Sequence, residues 1–240
     1  VRLQGKVVLV TGSATGVGEG IARRALAEGA TVVTHGRDGE TGIEGTHYLP
    51  GDLENSETPR RLIAGAVERY GRLDGLVNNA GVSWRGGLES DATFFDRIMA
   101  INARAPFLMI QAARPHLKGG SIVNIGSVNA HKTGQELLPY GMSKAALSSM
   151  TRTLADPLAQ DRIRVNALNL GWTLTPNERR LLVDTAGWAE DWPEKTAERM
   201  PLGRLLSPED VAGMVCYLLS DEAAMITGQS WDFDQRSHGR

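Results

Sequence analysis

Residues 6–18 read Lys-Val-Val-Leu-Val-Thr-Gly-Ser-Ala-Thr-Gly-Val-Gly, and this stretch decides the fold. Lys6–Thr11 is an unbroken apolar run of the kind found in strands buried on both faces. From Gly16 to Glu28 the apolar residues Val17, Ile21, Ala25 and Leu26 recur at helical spacing. A buried strand, a glycine-rich turn and a helix start bring free backbone N–H groups and the positive helix end to one point. That point binds a pyrophosphate. Gly12 permits the tight turn, Gly16 lets backbone approach phosphate, and Gly18 lets the helix pack on the sheet. The spacing is T-G-x-x-x-G-x-G rather than G-x-G-x-x-G, and a tight connection that holds no ligand is the competing reading.

The same alternation continues along the chain. Strands are predicted at Thr31–Thr34, Thr46–Leu49, Gly75–Val77, Ser121–Ile125, Ile163–Leu168 and Ser230–Phe233. Helices are predicted at Pro59–Tyr70, Phe94–Leu117 (in two pieces broken near Asn102), Pro139–Ala159 and Pro208–Leu219. Pro157 is expected to end or kink the third of these, and Ser207 to cap the fourth. Strands alternating with helices imply an α/β fold: a doubly wound, Rossmann-type, mainly parallel sheet covered on both faces. Residues 1–240 read as one dinucleotide-binding and catalytic domain. Thr173–Met200 breaks the alternation, carries Trp188 and Trp192, and reads as an inserted substrate lid at about 173–200.

Composition narrows the class. The 240 residues carry a net charge of -2 and are 41% hydrophobic, enough for one large core. They offer no basic surface for nucleic acid and no polybasic membrane patch. No apolar stretch reaches the ~20 residues of a membrane helix. The lone cysteine, Cys216, precludes an internal disulfide and suits a reducing compartment, so a cytoplasmic location is expected. Within its apolar run it reads as a buried small hydrophobe. The five histidines form no ligand-spaced cluster, so no metal site is expected.

Three groups carry chemistry. Tyr140 and Lys144 are four apart on a predicted helix and share a face. A neighbouring ammonium favours the phenolate and is expected to bring the phenol below its usual value near 10, making it a general acid/base. An exposed helix face is the alternative for such a pair. Ser127, just past the fifth strand, can hydrogen-bond a substrate oxygen as charge develops on it, or simply cap a turn. Asn102 is a polar amide in an apolar helical stretch and needs a partner. A water leading protons toward Lys144 is one. At the same sheet edge, Asp52-Leu53 and Asn78-Asn79-Ala80-Gly81 stand where a doubly wound fold places its ligand, although both read equally as turns.

Taken together, T-G-S-A-T-G-V-G at Thr11–Gly18, Asp52, N-N-A-G at Asn78–Gly81, Asn102, Ser127, Y-G-M-S-K at Tyr140–Lys144, R-V-N-A at Arg164–Ala167 and S-P-E-D at Ser207–Asp210 resemble the short-chain dehydrogenase/reductase family, in its single-domain branch of about 250 residues. The resemblance runs from Lys6 to Gln229. It implies a hydride transfer between a nicotinamide cofactor and a carbonyl/secondary alcohol pair. Tyr140 would be the acid/base, Ser127 would polarise the carbonyl, Lys144 would hold the nicotinamide ribose, and Asn102 would anchor a water relay. Cofactor contacts are implied for Gly12, Thr15, Gly16, Val17, Gly18, Arg37, Asp52, Leu53, Asn79, Ala80, Gly81, Tyr140, Lys144, Gly171 and Thr173. The chain departs from the family pattern at Leu170-Gly171 (usually Pro-Gly), at Pro157, at Thr15 (often basic in NADP-preferring members) and in the ending Trp231-Asp232-Phe233-Asp234-Gln235.

After the second strand the chain reads Thr34-His35-Gly36-Arg37. Gly36 replaces the acid that would bind the NAD ribose, and Arg37 can clamp a 2'-phosphate, so the reading favours NADP over NAD. Trp84, Asn129, His131, Gln135 and Trp172 are candidate substrate contacts, suited to a sugar, polyol or other polar hydroxy or keto compound. Packing variable loops is their alternative role. The family packs the Ala103–Ala113 and Tyr140 helices across two-fold axes, which implies a homotetramer. Two other functions stay open: a catalytically silent dinucleotide-binding sensor, and a non-redox relative of the epimerase or dehydratase kind.

Overall fold

The computed structural model describes residues 1–37 and 43–236. Its sheet is built from β1 (Val7–Val10), β2 (Thr31–Gly36), β3 (His47–Pro50), β4 (Gly75–Asn78), β5 (Ser121–Ser127), β6 (Arg164–Leu170) and β7 (Ser230–Phe233). Among the described residues it is a seven-stranded sheet in the order β3-β2-β1-β4-β5-β6-β7, and every pairing is parallel. The chain winds outward from β1 in both directions. The β1/β4 boundary is therefore the switch point where the carboxyl ends open a crevice.

The apolar run of β1 divides its side chains between the two faces. Val8 and Val10 pack with Ile21, Ala22 and Ala25 of α1 (Gly16–Ala27) on one side. Val7 and Leu9 pack with Leu62, Ile63 and Ala66 of α2 (Thr58–Tyr70) on the other. The first layer is completed by a later helix bearing Val211, Ala212, Val215 and Cys216. Cys216 is fully buried, and burial pushes its thiol up to about 12, so it behaves as a small hydrophobe.

The second layer continues through α3 (Ala92–Met99) and α4 (Ala105–Ala113). Between them Ala100–Arg104 forms a π-helical turn. The expected break near Asn102 is thus a local widening of one continuous helical stretch, and it holds Asn102 at its middle. The Tyr140 helix, α5, spans Leu138–Ala159 and keeps Pro157 inside its last turn. The helix ends at Ala159 as expected, two residues past the proline. So late in the helix the ring removes one backbone bond with little helix left to distort.

Residues 173–200 form α6 (Pro176–Arg180), a π-turn at Leu181–Thr185 and α7 (Trp192–Ala197). They carry a small core of their own, in which Leu182, Trp192, Met200 and Leu205 pack with Trp172 and Leu174. Next comes α8 (Pro208–Leu219), opened by a full capping box between Ser207 and Asp210, the arrangement its S-P-E-D start predicts. No helix among the described residues is long and apolar enough to cross a membrane.

Candidate active site

The glycine turn after β1 is held from three sides. Gly12 and Gly16 both lie at φ +63°, a conformation costly for any residue with a Cβ. A Cβ on Gly12 would lie 2.8 Å from the Ala80 Cα, so the turn touches the loop after β4 directly. Gly18 differs from expectation. A Cβ there would fall on the Gly12 carbonyl oxygen and the Asn79 amide nitrogen, so Gly18 makes room for the turn itself rather than for the sheet. Asn79 donates to the carbonyls of Thr11 and Gly12 at 2.9 and 3.0 Å, and the Thr11 hydroxyl accepts from the backbone of Asn79 and Ala80.

A clamp that sequence reading missed sits on the third side. His35 is buried; its Nδ1 accepts from the Gly12 N–H at 3.1 Å, and its Nε2 lies 2.9 Å from the Gly51 carbonyl. This pairing requires the neutral ring with the proton on Nε2, and burial lowers its pKa accordingly. The only sequence signal was a histidine inside an apolar strand. Thr15, the N-cap of α1, makes no side-chain cap bond. The first-turn N–H groups of Gly16, Val17 and Gly18 therefore have no capping partner and form a donor set suited to a phosphate.

Around this turn stand the other predicted cofactor residues. Arg37 is exposed at the end of β2 and its charge acts on Glu54. Asp52 is exposed and accepts from the Glu54 N–H at 2.9 Å, whereas the Leu53 side chain is buried in the core, leaving only its backbone to meet a ligand. Gly81 is exposed, and a Cβ on it would lie 3.3 Å from both Asn102 Oδ1 and Lys144 Nζ. Thr173 donates to the Gly171 carbonyl at 3.1 Å. Gly171 N–H donates to the Phe233 carbonyl, and the Asp234 carboxylate fills the space where a side chain on Gly171 would go. The segment after β7 thus leaves no room for a side chain at position 171.

The four expected catalytic residues converge at the carboxyl end of β5. Lys144 is buried and donates to the Ile125 carbonyl at 2.8 Å, with its Nζ 5.8 Å from the centroid of the Tyr140 ring. Ser127 is the last residue of β5; its hydroxyl accepts from the Asn129 N–H at 3.2 Å, and it acts on the Tyr140 phenol, favouring its ionised form. Asn102 is fully committed on its donor side. Its Nδ2 donates to the Val82 carbonyl at 2.9 Å and to Ser143 Oγ at 3.0 Å, while Oδ1 accepts from the Val82 N–H. Ser143 in turn donates to the Tyr140 carbonyl. The amide thus ties the loop after β4 to α5.

The electrostatics also differ from expectation. Burial raises the Tyr140 phenol above 10; Ser127 opposes this, and the negative charge of Glu178 adds to it. Burial lowers the Lys144 ammonium to about 8. Desolvation is the largest influence on the phenol and exceeds the lowering by Ser127.

The candidate substrate residues separate into two sets. Trp84 packs under Arg97, whose guanidinium lies 4.8 Å from the ring, and beside Phe94, on the α3 side. Asn129 contributes its backbone to Ser127 as above. His131 pairs with Asp232 at 2.7 Å, and Asp232 also accepts from Asn169, which ties the loop after β5 to the chain end. Gln135 is exposed, its backbone close against Gly87. Trp172 stacks on Trp192 with centroids 5.3 Å apart, meets Trp188 edge-on, and donates from its indole to Glu178 at 3.0 Å. Glu178 was missed by sequence reading. The spacing Thr175-Pro176-Asn177-Glu178 is a helix-capping signal, and the Thr175 hydroxyl does accept the Glu178 N–H. No group of three or more metal-ligating side chains forms among the described residues.

The sequence model of the family described as enoyl-(acyl carrier protein) reductase matches residues 12–235. Dehydrogenase/reductase SDR family member 4 of Homo sapiens is 37% identical over 243 residues, spanning 95% of this chain and 86% of that protein. Ligand-free aldohexose dehydrogenase of Thermoplasma acidophilum superposes with a TM-score of 0.91 at 29% identity, over 97% of this chain and 94% of that one. A blue fluorescent protein from a metagenomic library, solved in complex with NADPH, gives a TM-score of 0.86 at 30% identity, over 98% of each chain.

Proposed function

The chain belongs to the short-chain dehydrogenase/reductase family of oxidoreductases, and from that premise we propose that it moves a hydride between a nicotinamide cofactor and a carbonyl/secondary alcohol pair, with Tyr140 exchanging the proton. The observation that carries this reading is the convergence of Ser127, Tyr140 and Lys144 at the edge that also holds the uncapped glycine turn. A dinucleotide fits that turn because its donors are backbone N–H groups at a helix start whose N-cap side chain leaves them free of a cap.

The bound nicotinamide supplies the hydride and, when oxidised, a positive charge. The protein's part is to hold and move the proton. The Ser127 hydroxyl, fixed by the Asn129 N–H, directs the substrate oxygen toward the phenol. Tyr140 gives or takes the proton at its Oη. Lys144, spending one N–H on Ile125, keeps two to hold a ribose hydroxyl and steady the phenolate. Asn102 is a positioning residue that fixes α5 against the loop after β4. A silent sensor has no need of a buried lysine beside a buried tyrosine, which favours the enzyme.

The finer assignments are part of the same proposal. NADP is favoured over NAD by Arg37 and by Gly36 in place of an acid, and the NADPH-bound relative supports it. Residues 173–200 serve as the cover over the substrate. A polar hydroxy or keto substrate fits Trp172 and Glu178, and the aldohexose dehydrogenase likeness points the same way. The partly exposed Phe107 on α4 and Met142 on α5 suit a homotetramer assembled across those helices. The single buried Cys216 fits the cytoplasm.

The test is a screen of sugars, polyols and simple ketones for a change in reduced-nicotinamide absorbance with each cofactor. Turnover with none of them would remove the reading. Arg37→Ala is expected to weaken NADP binding about tenfold or more and NAD binding by less than about threefold. Isothermal titration of both cofactors checks this, and equal losses would return the preference to NAD.

A further inference from the structure

We propose that Glu178 is a specificity-determining residue, its carboxylate accepting a hydrogen bond from a hydroxyl carried next to the reacting carbon of the substrate. The inference rests on the proposed reaction and adds the chemistry of the substrate's neighbouring group.

Glu178 is placed by two contacts of its own and by one made by its capping partner. The indole of Trp172 donates to its Oε1 at 3.0 Å. Its backbone N–H is held by Thr175, the N-cap of α6. Thr175 itself stands against Gly16 of the glycine turn. The carboxylate therefore lies between the cofactor turn and the tryptophan cluster, and its charge acts on the Tyr140 phenol. Among the described residues, the Trp172 indole is the one group that hydrogen-bonds this carboxylate. A half-buried carboxylate with most of its acceptor sites unfilled is costly to hold. A donor arriving with the substrate offsets that cost, and one beside the reacting carbon meets Glu178 while the carbinol oxygen meets Ser127 and Tyr140.

A hydroxyl fits better than an ammonium. Arg85, paired with Glu136 at 3.4 Å, also acts on Glu178 through its charge, so part of the carboxylate's demand for a cation is already met. A substrate carboxylate would meet Glu178 as a like charge. The neutral donor is the class that both neighbours accept.

The test uses the whole protein with NADP and three alcohols sharing one carbinol: propane-1,2-diol, 1-aminopropan-2-ol and butan-2-ol, at neutral pH. The wild type is expected to favour the diol over butan-2-ol by about tenfold or more in kcat/KM, the range of a hydrogen bond to a charged group. Glu178→Leu is expected to bring that ratio to within about threefold. A ratio that survives the substitution overturns the proposal, as do equal losses for both alcohols and a wild-type preference for the amine.

Glu178→Gln, which keeps an acceptor and the Trp172 partner, guards against misfolding. The phenol is faced by Ser127 from β5, Lys144 from its own helix and Glu178 from α6, with Arg85 acting through Glu178. In alcohol oxidation the phenolate is the base, so its ionisation sets the acidic limb of kcat/KM; removing the Glu178 charge is expected to move that limb to lower pH, and an unmoved limb counts against the assignment. If no alcohol or ketone is oxidised or reduced at all, the hydride-transfer reading fails separately. Tryptophan fluorescence then decides the subsite. Quenching by the diol but not by butan-2-ol in wild type, lost in Glu178→Leu, supports it, and equal quenching overturns it.

Discussion

Replacing Tyr140 by Phe is expected to lower kcat by about a thousandfold, within the range of general acid/base catalysis, while the dissociation constant for NADP changes by less than about threefold. The substitution removes one oxygen and leaves the ring. The Ser127 hydroxyl keeps its partner, the Asn129 N–H. Lys144 keeps its bond to the Ile125 carbonyl because it does not depend on the phenol. The cofactor turn is built from Gly12, Asn79 and His35 and is likewise untouched. Binding and chemistry should therefore separate cleanly. Steady-state rates with isothermal titration of NADP measure both quantities, and a Phe variant with undiminished kcat would take the proton-transfer role away from this residue.

The second large effect is expected from Gly18→Ala. A single methyl there lands on the Gly12 carbonyl and the Asn79 amide. Neither can yield cheaply. The carbonyl belongs to a backbone already at positive φ, and the amide holds the Thr11 and Gly12 carbonyls together. Overpacking of this kind costs about 1–3 kcal/mol, which in a chain of this size lowers Tm by roughly 2–12 °C. The effect on cofactor is larger, since the displaced atoms are the phosphate cradle itself. NADP affinity should fall about a hundredfold or more, equivalent to about 2.7 kcal/mol, and the thermal stabilisation that saturating cofactor gives should vanish with it. Differential scanning with and without NADP reads both effects; a variant stabilised by NADP as much as wild type would show that the turn is not where the diphosphate sits.

Much of the architecture could be read locally. The run Val7–Val10, the glycines after it and the spacing of Ile21 and Ala25 each express a constraint that acts within a few residues, and the sheet order follows from how such units join. Asn102 announced its break because a polar amide in an apolar helix has to be satisfied, yet the partners that satisfy it, Val82 and Ser143, lie 20 and 41 residues away. His35 and Glu178 were invisible as site residues for the same reason: each draws its role from contacts made across the crevice by the tertiary fold. The phenol's raised pKa is the sharpest case. A Tyr-x-x-x-Lys spacing reports the nearby cation but not the desolvation, which depends on everything packed around the pair and here is the larger effect. The chain ending belongs with these, since Asp232 and Asp234 acquire meaning only beside His131, Asn169 and Gly171.

At the centre of the account is a phenol held neutral by burial until a cofactor joins Ser127 and Lys144 around it. Tyrosinate absorbance, taken as wild type minus Tyr140→Phe across pH, follows that one group directly. Without cofactor the ionisation is predicted to fall above the ordinary value of 10.0, and with saturating oxidised NADP to move to lower pH. Ionisation of Tyr140 below that value in the free protein, or no displacement when NADP is bound, would contradict it.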